Sequence, residues 1–154
     1  MSIKKELSPQ YQPNEIEGRI YQLWEESGFF NPDKLPKSHK KPFTVIMPPP
    51  NASAAMHIGN AVGVVLQDIM IRYKRMRGCK TLWLPGTDHA GFETQVVFDK
   101  KLQKEGKNRS EIPRDELYNQ MLEFTRENRK IVEHQLRKLG ASCDWSREKF
   151  TLDS

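Results

Sequence analysis

The chain has 154 residues, of which 36% are hydrophobic and 29% are charged, and its 25 Lys and Arg exceed its 20 Asp and Glu to give a net charge of +5. This length suits one ordinary domain, and the chain contains no apolar run near the ~20 residues that cross a bilayer. The two cysteines and the absence of an apolar leader after Met1 exclude membrane, disulfide-rich secreted and collagen-like proteins, so we expect a cytoplasmic protein with reduced thiols.

The first half of the chain predicts a helix, a strand and a second helix. Residues 14–27 have helical apolar spacing and are followed by Gly28, which is typical of a helix C-cap. Residues 43–47 are β-branched or apolar at both odd and even positions, which predicts a strand covered on two faces and ended by the prolines that follow. A turn of small residues then leads into a helix over residues 58–77.

The second half of the chain predicts a short strand and two further helices. Residues 81–84 form the strand, a helix covers residues 90–104, and a long helix runs from Pro113 to Leu139. Strands that alternate with crossover helices imply an α/β fold with parallel strands. Two strands are few for a complete doubly wound sheet.

Each long helix carries an apolar stripe at helical spacing, which is typical of the face that packs on a core. The stripe of the second helix consists of Ile58, Val62, Val65, Ile69, Tyr73 and Met76. The stripe of the last helix consists of Leu117, Met121, Phe124, Ile131 and Leu139.

The two loops that follow the strands, residues 48–60 and 85–91, are the candidate ligand site. Ligands of open parallel sheets bind beyond the carboxyl ends of the strands, and we expect both loops to meet at one crevice. Neither loop contains the glycine and lysine pattern of a P-loop or the glycine pattern of a dinucleotide-binding turn.

The first loop has the features of a polyphosphate site. Its small residues let a ligand approach the backbone, and the helix that follows offers unpaired N–H groups to an anion. His57 and Asn60 lie three apart on the same face of the first turn, while Gly59 leaves space for a flat ring such as a nucleobase. The alternative is a proline-stiffened loop with Ser53 as a helix cap and His57 as an exposed side chain.

The second loop places Asp88 just beyond a strand end, between glycines. A carboxylate in this position can hold an ammonium group through charge-assisted hydrogen bonds. The alternative is an N-cap aspartate that opens the next helix. The histidines and cysteines of the chain lack the paired short spacings of a zinc site, so we expect no protein-bound metal site.

Several ordered motifs in these loops resemble the class I aminoacyl-tRNA synthetases, most closely their valine-activating branch. Residues 47–51 read Met-Pro-Pro-Pro-Asn, residues 57–60 read His-Ile-Gly-Asn, and residues 83–91 read Trp-Leu-Pro-Gly-Thr-Asp-His-Ala-Gly. Further matches lie at residues 71–76, 94–97 and 135–147, so the resemblance covers nearly all of the chain from Tyr11 onward.

The resemblance implies a function and a role for particular residues. It implies a Rossmann-like catalytic domain that activates valine with ATP and Mg²⁺ and transfers it to tRNA(Val). Pro48, Asn51 and Asp88 are then expected to bind the amino acid. His57 and Asn60 are expected to act in catalysis at the ATP phosphates, and the ATP-binding set as a whole is Ser53, His57, Gly59 and Asn60.

The chain departs from the family pattern in two residues and in extent. Asn60 replaces the second histidine of the family signature, and Ala54 replaces a glycine of the preceding turn. The second signature, Lys-Met-Ser-Lys-Ser, is absent from the 154 residues, as are the editing insertion and the anticodon-binding helices. We therefore expect an N-terminal helix and connection over residues 1–41, the first half of the catalytic domain over residues 42–154, and a missing C-terminal remainder.

Three other interpretations stay open. The chain could be a synthetase-like fragment that binds nucleotide, amino acid or RNA without turnover, or a relative of the isoleucine-activating type. The third interpretation is a generic basic RNA-binding domain, which would leave the two ligand loops without a purpose.

Overall fold

A computed structural model of the chain describes residues 10–153, and the predicted absence of a leader at residues 1–5 lies outside this range. The elements follow the predicted order, with two additional strands of two residues each. They are α1 (Pro13–Ser27), β1 (Lys41–Ile46), α2 (Ile58–Met76), β2 (Cys79–Leu84), β3 (Gly86–Thr87), α3 (Gly91–Lys104), α4 (Arg114–Lys138) and β4 (Lys149–Phe150). Short 3₁₀ turns at residues 32–34, 109–111 and 145–147 connect some of them.

The strands pair in parallel, as the alternation of strands and helices predicted. β1 pairs with β2 from Lys41 opposite Cys79 to Ile46 opposite Leu84, and α2 connects the two strands. β3 pairs in parallel with β4 near the end of the chain. The predicted α/β fold with parallel strands is confirmed.

The prediction that β1 is covered on two faces is wrong. Phe43 and Val45 are half-buried and pack against the core, whereas Thr44 and Ile46 point the other way and Ile46 is 69% exposed. Among the described residues, α2 is the helix that packs most extensively against β1. The second face of the strand therefore stays open.

The predicted apolar stripe of α2 lies on the exposed side of the helix, which overturns the expectation that it faces the core. Its members are between 42% and 81% exposed, and the buried residues of α2 are instead Val64 and Ile71. The helix turns polar side chains inward because they find partners there. Gln67 accepts a hydrogen bond from the indole nitrogen of the buried Trp83, and Asp68 bonds to the buried Ser142.

The stripe of α4 was predicted correctly in part. Leu117, Met121 and Phe124 are half-buried, but Ile131 and Leu139 are exposed. The buried positions of α4 are Thr125, Asn128, Val132 and Leu136. Thr125 and Asn128 are tolerated inside because each donates to a carbonyl oxygen one turn earlier in its own helix.

The core joins α2, α4 and the strands with the segment that follows α4. It consists of Met47, Val64, Ile71, Trp83, Val132, Leu136, Ala141 and Cys143. Burial raises the pKa of the Cys143 thiol, which keeps this group protonated and unreactive at neutral pH.

A polar network fastens α2 to the segment after α4. The Oδ1 atom of Asp68 accepts hydrogen bonds from the Ser142 backbone N–H at 3.0 Å and from its hydroxyl at 2.6 Å. Arg72 donates to Asp68 and to the carbonyl oxygen of Gly140, and Arg75 donates to the Ser142 carbonyl oxygen. These bonds fix the position of α2 relative to the end of α4.

Replacement of Asp68 by Ala is expected to lower the free energy of unfolding by about 2 kcal/mol or more, because the buried Ser142 N–H and the Arg72 guanidinium lose their acceptor. Urea unfolding of the chain followed by circular dichroism measures this loss. Glu127→Ala, at an exposed position of α4, is the control and is expected to change stability by less than about 0.5 kcal/mol. Equal effects of both substitutions would contradict the assigned role of Asp68.

Candidate functional site at the two strand-end loops

The two candidate loops lie side by side and are joined by backbone hydrogen bonds. The Asp88 N–H donates to the Pro50 carbonyl oxygen at 2.9 Å, and the Ala52 N–H donates to the Asp88 carbonyl oxygen at 2.7 Å. Asn51 and Asp88 thus form an isolated parallel bridge beyond the ends of β1 and β2. The two segments that pair as β1 and β2 thus pair again beyond the strand ends, which brings the two loops side by side.

The proline run adds one residue to the first loop relative to the second. Five steps of chain lead from Ile46 to Asn51, but only four lead from the paired Leu84 to Asp88. Prolines 48–50 have no N–H to donate, so the ladder stops at the bond from Met47 to Leu84 and resumes at Asp88. The first loop therefore holds one residue more than the second between the two points of pairing.

The first loop and the start of α2 enclose a cavity of about 410 Å³. This volume is within the ordinary range of about 300–1,000 Å³ for small-molecule sites. The predicted site residues that line it are Pro48, Asn51, Ser53, His57, Gly59 and Asn60. Asp88 donates its N–H to Pro50, which lines this cavity, but Asp88 does not itself line it.

His57 and Asn60 form a reciprocal cap at the start of α2. His57 is the N-cap, and its Nδ1 accepts a hydrogen bond from the Gly59 N–H at 3.1 Å. The Asn60 Oδ1 accepts a hydrogen bond from the His57 N–H at 3.1 Å. An Nδ1 that accepts leaves the proton of the neutral ring on Nε2, and an amide that accepts through Oδ1 keeps its NH₂ group as a donor. The cap is therefore His57, and not Ser53 as the alternative interpretation had it.

The space beside Gly59 is taken by the His57 ring. A Cβ at position 59 would lie 2.9 Å from Cε1 and 3.0 Å from Nδ1 of His57. The sequence predicted that this space admits a nucleobase, but in the structure the absence of a side chain at Gly59 allows the His57 imidazole to approach closely.

Asp88 is held on the second loop by one of its two carboxylate oxygens. Oδ1 accepts from the Ala90 N–H at 2.9 Å and from the Thr151 hydroxyl at 3.3 Å, and it lies 3.4 Å from His89 Nδ1. α3 begins at Gly91 with Ala90 as its N-cap, so Asp88 is not the N-cap that the alternative interpretation proposed.

Glu93 is the one acidic residue among those that line the cavity, and it is not one of the site residues predicted from the sequence. Its Oε2 accepts from the Asn51 amide nitrogen at 2.6 Å, and its Oε1 accepts from the Ser53 hydroxyl at 2.7 Å. An acid in the first turn of a helix is usually explained by the helix dipole, which is why its position gave no functional signal.

Residues 10–153 contain neither a cluster of metal ligands nor a helix suited to a membrane. No group of three or more His, Cys, Asp or Glu side chains in this range is arranged to hold a metal ion. None of the described helices combines the length and the apolar character needed to cross a membrane. A second cavity, of about 510 Å³, is lined by residues of α1, α2 and α4 and contains none of the predicted ligand residues.

Replacement of Gly59 by Ala is expected to reduce stability or leave it unchanged, although Ala is the better helix former, because the new methyl group displaces the His57 ring. Gly63→Ala is the matched control on the same helix, since a Cβ there meets no atom within 4 Å. This control is expected to stabilise the chain by about 0.5–1 kcal/mol. Chemical denaturation of both variants makes the comparison, and an equal gain at both positions would contradict the described contact.

Comparisons with known proteins converge on one family. A family model described as tRNA synthetases class I (I, L, M and V) matches residues 19–154. The valine--tRNA ligase of Treponema denticola is 49% identical over 148 residues, which are 96% of this chain and 16% of that protein. The valine--tRNA ligase of Dehalococcoides mccartyi (strain CBDB1) is 48% identical over 149 residues, which are 97% of this chain and 17% of that protein. The chain thus spans about a sixth of the length of these relatives.

A solved structure confirms the Rossmann-like fold class. It is the crystal structure of the ternary complex of Agrobacterium radiobacter K84 agnB2 LeuRS, tRNA and LeuAMS, with a TM-score of 0.74 at 24% sequence identity. The match covers 94% of this chain and 16% of that chain.

Proposed function

The chain belongs to the class I tRNA synthetases, and on that premise we propose that it forms the N-terminal catalytic portion of a valine--tRNA ligase. The enzyme activates valine with ATP to valyl-adenylate and transfers the valyl group to tRNA(Val). The observation that carries the proposal is the backbone pairing of Asn51 with Asp88, which sets an amino-acid loop beside a helix start suited to phosphate. We propose residues 1–41 as an N-terminal helix and connection and residues 42–154 as the first half of the catalytic domain.

In the first step, the carboxylate of valine attacks the α-phosphorus of ATP, and pyrophosphate leaves. His57 donates from Nε2 and Asn60 donates from its NH₂ group to phosphate oxygens, and the free N–H groups at the start of α2 add to their effect. Gly59 donates its N–H to His57 and leaves room for the ring, and Ser53, whose hydroxyl donates to Glu93, is the remaining member of the proposed ATP-binding set. No covalent bond forms to the protein, so its contribution is alignment and stabilisation of the charge that develops.

The amino acid is held on the other side of the crevice. Asp88 uses only Oδ1 in its described contacts, so Oδ2 is available to accept from the α-ammonium group. Asn51 adds a polar contact, and Pro48 shapes the pocket for the side chain. Mg²⁺ enters with ATP: the described residues provide no cluster of protein ligands, so the phosphates and water would hold the ion.

The open surfaces of the chain support its place within a longer polypeptide. Large apolar side chains on the outer side of α2 are exposed, and the outer face of β1 exposes Ile46. Contiguous apolar surface of this kind marks an interface. We propose that the remainder of the synthetase covers both, because the matched relatives are about six times as long as this chain. The exposed residues of α2 are Ile58, Val62, Val65, Leu66, Ile69, Met70, Tyr73 and Met76.

The proposed function is tested by amino-acid-dependent exchange of pyrophosphate into ATP. The complete polypeptide is expected to catalyse exchange with valine, whereas residues 1–154 alone are expected to show weak exchange or none. Asp88→Asn is expected to reduce exchange by a factor of about 10–100, since a charge-assisted bond to the ammonium group is lost. Preference for isoleucine would favour the isoleucine-activating type, and binding of valine and ATP without exchange by the complete polypeptide would favour the fragment without turnover.

Replacement of Asn60 by His in the complete polypeptide is expected to leave the activation rate equal or to increase it. A neutral histidine accepts the capping bond from the His57 N–H through one ring nitrogen and keeps the other as a donor to a phosphate oxygen, whereas the protonated form exchanges the capping bond for a positive charge near the phosphates. Single-turnover formation of the adenylate measures this rate. A large loss of the activation rate would mean that Asn60 does not contact the phosphates and is needed for a different contact with its surroundings.

A further inference from the structure

Glu93 ties the first turn of α3 to the first loop through two short hydrogen bonds. Its carboxylate accepts from the Asn51 amide at 2.6 Å and from the Ser53 hydroxyl at 2.7 Å. Ser53 is only 2% exposed, so one end of this bridge is fixed inside the protein. Both bonds join a neutral donor to a charged acceptor, which makes them stronger than ordinary side-chain hydrogen bonds.

The bridge determines which end of the Asn51 amide is available to a ligand. An ionised carboxylate only accepts hydrogen bonds, so it selects the NH₂ end of the amide and turns the carbonyl oxygen away from itself. The same argument applies to Ser53, whose hydroxyl proton is committed to Glu93. Without Glu93, nothing in these contacts distinguishes the two ends of the amide.

The available carbonyl oxygen is suited to an ammonium group. An ammonium group only donates hydrogen bonds and needs several acceptors, and Asn51 lies directly beside Asp88 in the paired loops. The Glu93 carboxylate also adds negative charge to the lining of the cavity. The lining therefore combines acceptors that favour a cation with the start of α2, which favours an anion.

We propose that Glu93 is a positioning residue for the amino-acid substrate, which acts by holding the Asn51 carbonyl oxygen toward the substrate ammonium group. This inference rests on the proposed function and deepens it, since it concerns the same site. Glu93 itself need not touch the substrate, because its two oxygens are occupied by Asn51 and Ser53.

The test is Glu93→Gln in the complete polypeptide, measured by valine-dependent pyrophosphate exchange. Glutamine offers one acceptor and one donor, so its NH₂ group is able to donate to the Asn51 carbonyl oxygen and the amide is no longer restricted to one orientation. We expect the KM for valine to rise about tenfold, while kcat and the KM for ATP change less than twofold. A role in stability alone would lower kcat or alter both KM values together, and that result would overturn the proposal.

A second variant tests the polarity of the bridge. Asn51→Asp combined with Glu93→Gln reverses donor and acceptor and still presents a carboxylate oxygen to the ammonium group. We expect this pair to recover the KM for valine to within about threefold of the wild type, and a KM as high as that of Glu93→Gln alone would overturn the proposal. Recovery of the KM for valine also shows that the effect of Glu93→Gln alone does not come from misfolding, since the double variant keeps that substitution and restores the bridge.

Controls separate this inference from the function on which it rests. Glu127→Gln removes the same charge at an exposed position of α4 and is expected to change neither KM. If the wild type shows no valine-dependent exchange, the proposed function fails and the inference fails with it. If the wild type exchanges normally and Glu93→Gln leaves the KM for valine unchanged, only the inference fails.

Discussion

The parallel pairing of two chain segments beyond the ends of their strands is the constraint on which the site depends. Asp88 is bonded through its N–H and its carbonyl oxygen to the first loop, so neither loop can move without the other. Each loop has an ordinary structural explanation when taken alone. Their backbone bonds hold the Asp88 loop against the loop that leads into α2, so the two turns are fixed relative to each other.

The same side chains at the start of α2 serve the fold and the proposed chemistry. His57 and Asn60 cap the helix with one hydrogen-bonding group each and keep another group for a ligand. Asparagine retains this double role, which explains how the helix start is preserved where the related family has a second histidine. Other motifs of the resemblance are structural, since Arg75 and Ser142 join α2 to the segment after α4.

Local sequence signals were sufficient to predict the order of the helices and strands. They were insufficient to predict which face of each helix is buried. Gly28 and Gly140 adopt positive φ angles at helix ends, where their residue type predicts a stop. The inward face of α2 could not be predicted from apolar spacing, because Gln67 and Asp68 enter the core by bonding to partners far away in sequence. Apolar periodicity indicates which side chains gain free energy by leaving water. It does not indicate whether a polar side chain finds a hydrogen-bond partner inside the protein.

The sequence by itself determined the α/β order of elements, the two strand-end loops and the residues whose chemistry suits a phosphate and an ammonium group. These follow from local preferences and from motifs that are contiguous along the chain. Only the tertiary structure decided that Asn51 lies beside Asp88 and that Glu93 reaches Asn51 and Ser53. Those contacts join residues about 40 positions apart, and they depend on how α2 and β2 return the chain to the first loop.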